Sequence, residues 1–306
     1  MNLNRQFHPY PPGGEPLQLV GRETAVQQIR DAAFSNFYFR RATNHAEYTF
    51  LVAAGHVRSG KTRIGIETPM IVKEVCINMS NEFKFKEPVY LKIDFLNGAK
   101  FNPLFDTADL LPSQALGGRL MNAFYTGVGL KKVSHSDALK HIVDSVRGNE
   151  TDSIVPIVIH FDEHGEFIAA RNEFLENNYG KKYFLNMLME LGSAATSNSD
   201  NLGSLHNAGS FFIVPITTGT SHSDANFDSI NTYSIQLVSL PILDSGKTED
   251  LAVACLQQFS PNVEIAAVLS DNLFQIALGD TGGLPGLIFY ACLPGSHSYF
   301  QNLFLH

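Results

Sequence analysis

"AAGHVRSGKT", residues 53–62, decides how the rest of the chain is read. Gly55, four intervening residues, then Gly60, Lys61 and Thr62 spell G-x-x-x-x-G-K-[ST], the loop that cradles nucleotide phosphates. In such a loop successive backbone N–H groups converge on phosphate oxygens, and the following helix presents its positive end. The lysine spans the β- and γ-phosphates, and the threonine hydroxyl holds magnesium. Arg58 stands where many such loops carry a further glycine. It either adds positive charge beside the phosphates or points into solvent, and Ser59 and Arg63 complete the set of candidate contacts.

From average composition the bare spelling recurs by chance in roughly one 300-residue chain per hundred, so its context has to carry it. The context fits. "YTFLVAAG" (48–55) is a short apolar run of strand type, and a helical pattern begins after Thr62. That helix is expected to reach only about Glu67, because Pro69 lacks an N–H and crowds the preceding turn.

A magnesium nucleotide site also wants an acidic residue at the end of a neighbouring strand. "SIVPIVIHFDEHGEF" (153–167) is a near-continuous apolar run that ends in Asp162 and Glu163. Asp162 is the candidate magnesium carboxylate, and Glu163 the candidate base that polarises water. Alone, "DEHGEF" is also ordinary turn composition. "FFIVPITTGT" places Thr217 or Thr218 where a hydroxyl could sense the γ-phosphate, though a turn hydroxyl reads as well. His160 and His164 flank the two carboxylates, but four residues along a strand separate them too widely for easy shared zinc ligation. His160 reads as a packed or hydrogen-bonded histidine. No G-x-S-x-G appears, which removes a serine-nucleophile reading.

Further strand candidates are "PVYLKIDFLNG" (88–98) and "YSIQLVSLPIL" (233–243), making five in all. Helical spacing marks "VGRETAVQQIRDAAFSNF", "SQALGGRLMNAFYTGV", "KKYFLNMLMELGSAA" and "TEDLAVACLQQF". It also marks "SHSDALKHIVDSVRG", with Ser134 or Ser136 as cap. Strands alternating with helices mean an α/β sheet with crossovers. Pro156 and Pro215 count against their runs being interior strands. The expected organisation is a leader at 1–18, an α/β core at 19–243 and a helical lid or further region at 244–306.

Of the 306 residues 44% are hydrophobic and 17% charged, which suits a folded globular protein. A net charge of -8 does not indicate a nucleic-acid partner, although a local basic groove is compatible with it. No apolar run is long enough to predict a membrane-spanning helix. Three scattered cysteines, with no C-x-x-C pair, suggest a reducing, intracellular setting.

Taken together, "VGRE", "GHVRSGKT", "IVIHFDE", "VPITTGT" and "GGLPGLI" resemble an ATPase of the additional-strand P-loop class, similar in layout to AAA+ and STAND-type proteins. The resemblance implies a three-layer α/β fold with a mainly parallel sheet of order 5-1-4-3-2 and a partial helical lid. It implies ATP and Mg²⁺ as cofactors, used as a switch or motor, with a homo-oligomer or protein partner. By motif, Gly55, Gly60, Lys61 and Thr62 take the phosphate and metal positions, Asp162 the magnesium, Glu163 the base and Thr218 (or Thr217) the sensor. Gly21-Arg22-Glu23 resembles the segment leading to the adenine. An arginine often follows the proline of the lid turn, and here Gly286 replaces it. Within the class, "SGKTRIGIE" and the long insert before the acidic strand look most like the ATPase module of Crinkler effectors and retrotransposon-hot-spot proteins. That narrower resemblance implies a cytoplasmic or nuclear location, including delivery into host cells.

An active ATPase leads these readings, followed by an ATP-binding switch that hydrolyses little. A GTP-binding protein lacks the N-K-x-D spelling, a small-molecule kinase lacks a visible acceptor pocket, and an inert α/β scaffold is the bland alternative.

Overall fold

The computed structural model describes residues 19–40, 45–55, 58–125, 129–175, 179–196, 209–219, 232–259, 264–271, 274–275, 278 and 283–292. The expected leader at 1–18, Arg41 (with Arg22, Arg40, Arg58 and Arg63 a candidate for an arginine that reaches the phosphates) and most of the polar stretch 197–210 lie outside these residues.

In chain order the elements are α1 (Glu23–Tyr38), β1 (Thr49–Ala54), α2 (Lys61–Asn78), β2 (Val89–Asp94), α3 (Pro112–Phe124), α4 (His135–Arg147) and β3 (Val155–Asp162). There follow α5 (His164–Leu175), α6 (Tyr179–Thr196), β4 (Phe211–Gly219), β5 (Ser234–Leu237), α7 (Ser245–Phe259), α8 (Ile265–Leu269) and α9 (Pro285–Cys292). All five strand candidates form one parallel sheet in the order β2-β3-β4-β1-β5, the expected 5-1-4-3-2. This is a three-layer α/β fold of P-loop NTPase type with a partial helical lid.

The chain divides into two compact units. The first holds the sheet. Odd-numbered residues of β3 (Val155, Ile157, Ile159, Phe161) pack with Leu116, Leu139, Phe167, Phe184 and Leu188 from α3 to α6. Even-numbered residues face the other way, where Gly65 of α2 lies flush against His160, and Phe37 of α1 meets Phe212 edge-on at 5.5 Å. A parallel sheet covered on both faces reads as continuous apolar runs, and every residue of β3 and β4 is buried.

Three local expectations needed correction. Helix α2 does not stop near Glu67 but runs on to Asn78 with Pro69 inside it. An interior proline costs about 3 kcal/mol. Burying Ile64, Ile71, Val72 and Val75 on that helix offsets this, each being worth about 1.5–3 kcal/mol. The residues after Glu163 also form a helix, α5, in place of the turn that "DEHGEF" suggests when read alone.

Pro156 and Pro215, thirdly, lie in interior strands. Val155 N donates to Ser210 O, so the nitrogen of Pro156 faces the β2 side, where the ladder begins only at Val89 and Ile157. The nitrogen of Pro215 faces β1, where it would otherwise serve Thr49 O. Asn36 of α1 supplies that bond instead. Its buried carboxamide donates to Thr49 O at 2.9 Å and Ile213 O at 3.1 Å, and accepts from Thr49 N at 2.8 Å. A side chain thus closes a ladder that a proline leaves open.

The insert between β2 and β3 is tied down by a fully buried pair, Arg119 to Asp106 at 2.7 Å, with the guanidinium 4.8 Å from the Phe167 ring centre. Ser134 caps α4, accepting from Asp137 N at 3.1 Å.

The second unit has its own small core of Leu243, Leu251, Ala252, Cys255, Leu256, Phe274, Leu278, Ile288 and Cys292. Pro285 opens α9 at the position where its missing N–H costs nothing. Among the described residues no helix is long and apolar enough to cross a membrane.

Candidate functional site

The loop 55–61 belongs to the second unit. Helix α2 begins at Lys61, so the motif lies between a strand end and a helix start, the context its chemistry requires. Gly60 adopts φ 93°, which glycine tolerates, and Arg58 adopts φ 66°, which an L-residue takes up at a cost of roughly 1–2 kcal/mol. The position that looked like a lost glycine therefore keeps a glycine's backbone. Arg58 is held there by its carbonyl, which accepts from Gly286 N at 3.1 Å. Gly286 permits the approach: a Cβ on it would fall 2.9 Å from Arg58 Cβ.

Lys61 is buried, and its Nζ donates back to Gly55 O at 3.0 Å. Ser59 is only 5% exposed, and its hydroxyl finds no hydrogen-bond partner among the described residues. A buried orphan hydroxyl in a native fold calls for an explanation such as a ligand. The carbonyl of Ser59 is fixed by Arg22, whose guanidinium donates to it at 2.9 Å and to Pro241 O at 2.6 Å. Arg22, expected in the segment leading to the adenine, thus braces the loop. His56 and Val57 lie outside the described residues.

The second cluster lies in the first unit, where the β3–β4 register sets Asp162 beside Thr218. Asp162 Oδ1 accepts from Thr218 Oγ1 at 2.6 Å and from Thr62 Oγ1, one residue into α2, at 3.1 Å. The fold therefore brings together three residues that lie far apart in sequence. Thr218 Oγ1 is also 2.8 Å from His160 Nε2, and His160 Nδ1 is 2.7 Å from Tyr90 Oη. Thr218 has one proton and gives it to Asp162, so Nε2–H donates to Thr218 and Nδ1 accepts from Tyr90. His160 is neutral in this arrangement. Burial lowers its pKa to about 4, against the raising effect of the nearby carboxylate. Burial alone would raise Asp162; the His160 imidazole and the Lys92 and Thr218 contacts outweigh it and hold the carboxyl low. Lys92 Nζ lies 2.8 Å from Asp162 Oδ2, a partner the sequence reading missed.

Glu163 follows at φ 53°, another left-handed non-glycine residue, with its N–H donating to Thr218 O at 2.9 Å. A residue held in a sparsely populated conformation points to a constrained site. His164 stacks on Phe184 at 5.2 Å, and its Nδ1 lies 3.3 Å from Thr218 O, so the two histidines meet Thr218 through different atoms. Arg63 pairs within its own helix to Glu67 at 2.6 Å, and Arg40 lies 4.0 Å over the Phe37 ring. Asn36, Tyr90 and Lys92 carry no motif; register in the sheet reveals Tyr90 and Lys92, and the packing of α1 on the strands reveals Asn36.

Sheet order and the strand–loop–helix start define a P-loop NTPase-type fold. No family model matches the chain, and no curated protein matches it in sequence. Among solved structures it is similar to the Aeropyrum pernix ORC2 protein, determined as ADPNP–ADP complexes. The TM-score is 0.55 at 13% identity, over 91% of this chain and 62% of that one. The A. pernix ORC1 protein, determined in complex with DNA, gives a TM-score of 0.52 at 12% identity, over 95% of this chain and 66% of the other. The chain thus spans just under two-thirds of the length of both, and the likeness at these identities is one of fold.

Proposed function

We propose that the chain binds ATP at residues 55–62 and hydrolyses it with magnesium as a nucleotide-dependent switch. The observation that carries this reading is the buried, unpartnered Ser59 hydroxyl in a loop where Gly60 and Arg58 both adopt positive φ and α2 begins at Lys61. Backbone N–H groups at the start of a helix and the Lys61 ammonium, which donates to Gly55 O, are suited to phosphate oxygens. Gly55, Arg58, Ser59, Gly60 and Lys61 would contact phosphate.

Hard oxygen donors suit magnesium, and Thr62 and Asp162, already hydrogen-bonded to each other, form such a set. Bound there, the ion would neutralise phosphate charge. Glu163 would orient and deprotonate the attacking water. Thr218 would hold Asp162 in place, and through it register the state of the γ-phosphate. Measuring ATP binding and turnover with magnesium for the wild type, Lys61→Ala and Glu163→Gln tests this. Lys61→Ala is expected to lose binding, and Glu163→Gln to keep binding and lose turnover; turnover unchanged in Glu163→Gln refutes the assignment of the base.

A second reading, an ATP-binding switch with little intrinsic hydrolysis, is favoured by Lys92 at Asp162. A homo-oligomer or protein partner is the proposed context, and turnover that rises with protein concentration would support it. The narrower kinship with Crinkler and retrotransposon-hot-spot ATPase modules rests on "SGKTRIGIE" and the long insert alone.

A further inference from the structure

Lys92 is the charged residue that the nucleotide reading leaves without a task. On β2 it lies opposite His160, and Asp94, two residues on, lies opposite Asp162. Residues two apart on a strand share a face, and a long side chain reaches its diagonal neighbour across the ladder. The Lys92 ammonium does both, lying 2.9 Å from Asp94 Oδ2 and 2.8 Å from Asp162 Oδ2. The Lys92 side chain is 22% exposed and that of Asp162 5%, so this is not a solvated surface pair of small consequence. An ammonium within about 3 Å of two carboxylate oxygens is a charge held in place by opposite charges on both sides.

Asp162 has no unengaged oxygen. Oδ1 takes the hydroxyls of Thr62 and Thr218, and Oδ2 takes Lys92. Asp94 spends its other oxygen on the turn after β2, accepting from Leu96 N at 3.1 Å and Asn97 N at 3.0 Å. A divalent ion drawn to Asp162 would meet a positive charge already bound to the same carboxylate, and like charges sharing a site disfavour each other.

We infer that Lys92 is a tethered cation that takes the place of a divalent ion at Asp162, so that the chain retains ATP with little help from magnesium and turns it over slowly. The part concerning ATP rests on the second reading above, ATP binding with little hydrolysis, and departs from the magnesium that the first reading puts at Asp162. The part concerning the cation rests on the Lys92 pair alone.

The test uses the full chain with Lys92→Met, which keeps an unbranched stem without the charge, and Lys92→Arg, which keeps the charge. Affinity for a fluorescent ATP analogue is measured in magnesium and in EDTA. Wild type and Lys92→Arg are expected to differ by less than about threefold between the two conditions, and Lys92→Met by about tenfold or more. A wild-type chain that already gains tenfold from magnesium overturns the proposal, whether or not Lys92→Met folds. In a second measurement, Mn²⁺ alone is titrated into nucleotide-free protein and followed by electron paramagnetic resonance. Lys92→Met should take up one ion that the wild type does not, and adding Asp162→Asn should abolish it. Equal uptake by wild type and Lys92→Met, or none by Lys92→Met, overturns the assignment. Failure of every form to bind the analogue would end the ATP reading, and the Mn²⁺ titration would still decide the place of Lys92.

Discussion

Replacing Gly65 by alanine tests whether the buried network behind Asp162 is as tightly packed as its distances indicate. Gly65 is inside α2, and alanine there should by propensity alone stabilise the helix by roughly 0.5–1 kcal/mol. The space forbids it. A Cβ on Gly65 would overlap the His160 ring, whose Cε1 and Nε2 lie closest and whose Nδ1 is 2.8 Å away. The ring cannot retreat without giving up Tyr90 at 2.7 Å and Thr218 at 2.8 Å. Two hydrogen bonds at about 0.5–1.5 kcal/mol each are at risk. Forcing a methyl into a packed core costs a further 1–3 kcal/mol, roughly. Set against the propensity gain, Gly65→Ala should lose on the order of 2 kcal/mol in urea unfolding at 25 °C. In a His160→Ala background the ring is gone, and the same change should be neutral or stabilising, a coupling on the order of 2 kcal/mol. If Gly65→Ala is as stable as the wild type in both backgrounds, His160 does not pack against α2 and the network is misassigned.

Asn36→Ala should cost about 2–4 kcal/mol in the same unfolding assay, because it strips partners from Thr49 N, Thr49 O and Ile213 O at a buried strand start. Arg119→Met leaves Asp106 charged and fully buried, and should cost about 3–5 kcal/mol; adding Asp106→Leu should recover much of the loss. Stability should also fall in mild acid. His160 takes up a proton near 6.5 when unfolded but only near 4 when folded, so its contribution is full above pH 6.5 and is lost as the pH falls to about 4. At about 1.4 kcal/mol per pKa unit the loss is on the order of 3 kcal/mol, and His160→Gln should flatten the curve between those limits.

β1, β3 and β4 were legible because a parallel strand buried on both faces has to be apolar throughout. β2 and β5, only partly buried, were legible from their β-branched and aromatic residues between turn signals. That Thr62 and Asp162 come together was legible because a phosphate loop and an acidic strand end are wanted by one chemistry. Thr218 was half-legible: Thr217 has the same composition and neighbours, and only strand parity decides which hydroxyl meets Asp162. Lys92, Tyr90 and Asn36 were not legible, since their contacts depend on register between strands and on helix packing. Pro69, Pro156 and Pro215 were misread for a related reason. Their local cost is correctly assigned by residue type, but the compensating partner, a buried helix face or the Asn36 carboxamide, lies elsewhere in the chain.

Arg58 shows how a departure from a motif can be absorbed. A glycine at this position would reach φ 66° without strain; an arginine reaches it only if its Cβ and Cγ have room. Gly286 provides that room, since its missing side chain is where those two atoms lie nearest, at 2.9 and 3.3 Å from a notional Cβ. The same residue donates its N–H to the Arg58 carbonyl, so the first turn of α9 satisfies one of its own unpaired donors on the loop. Taken one at a time, an arginine gained at 58 and a glycine at 286 both look like erosion of a nucleotide site. Taken together they are a matched exchange within one compact unit: side-chain bulk sits on the loop, space is left on the helix, and a main-chain bond joins them. The loop conformation is therefore set by a pair of residues 228 positions apart, and neither can be judged without the other.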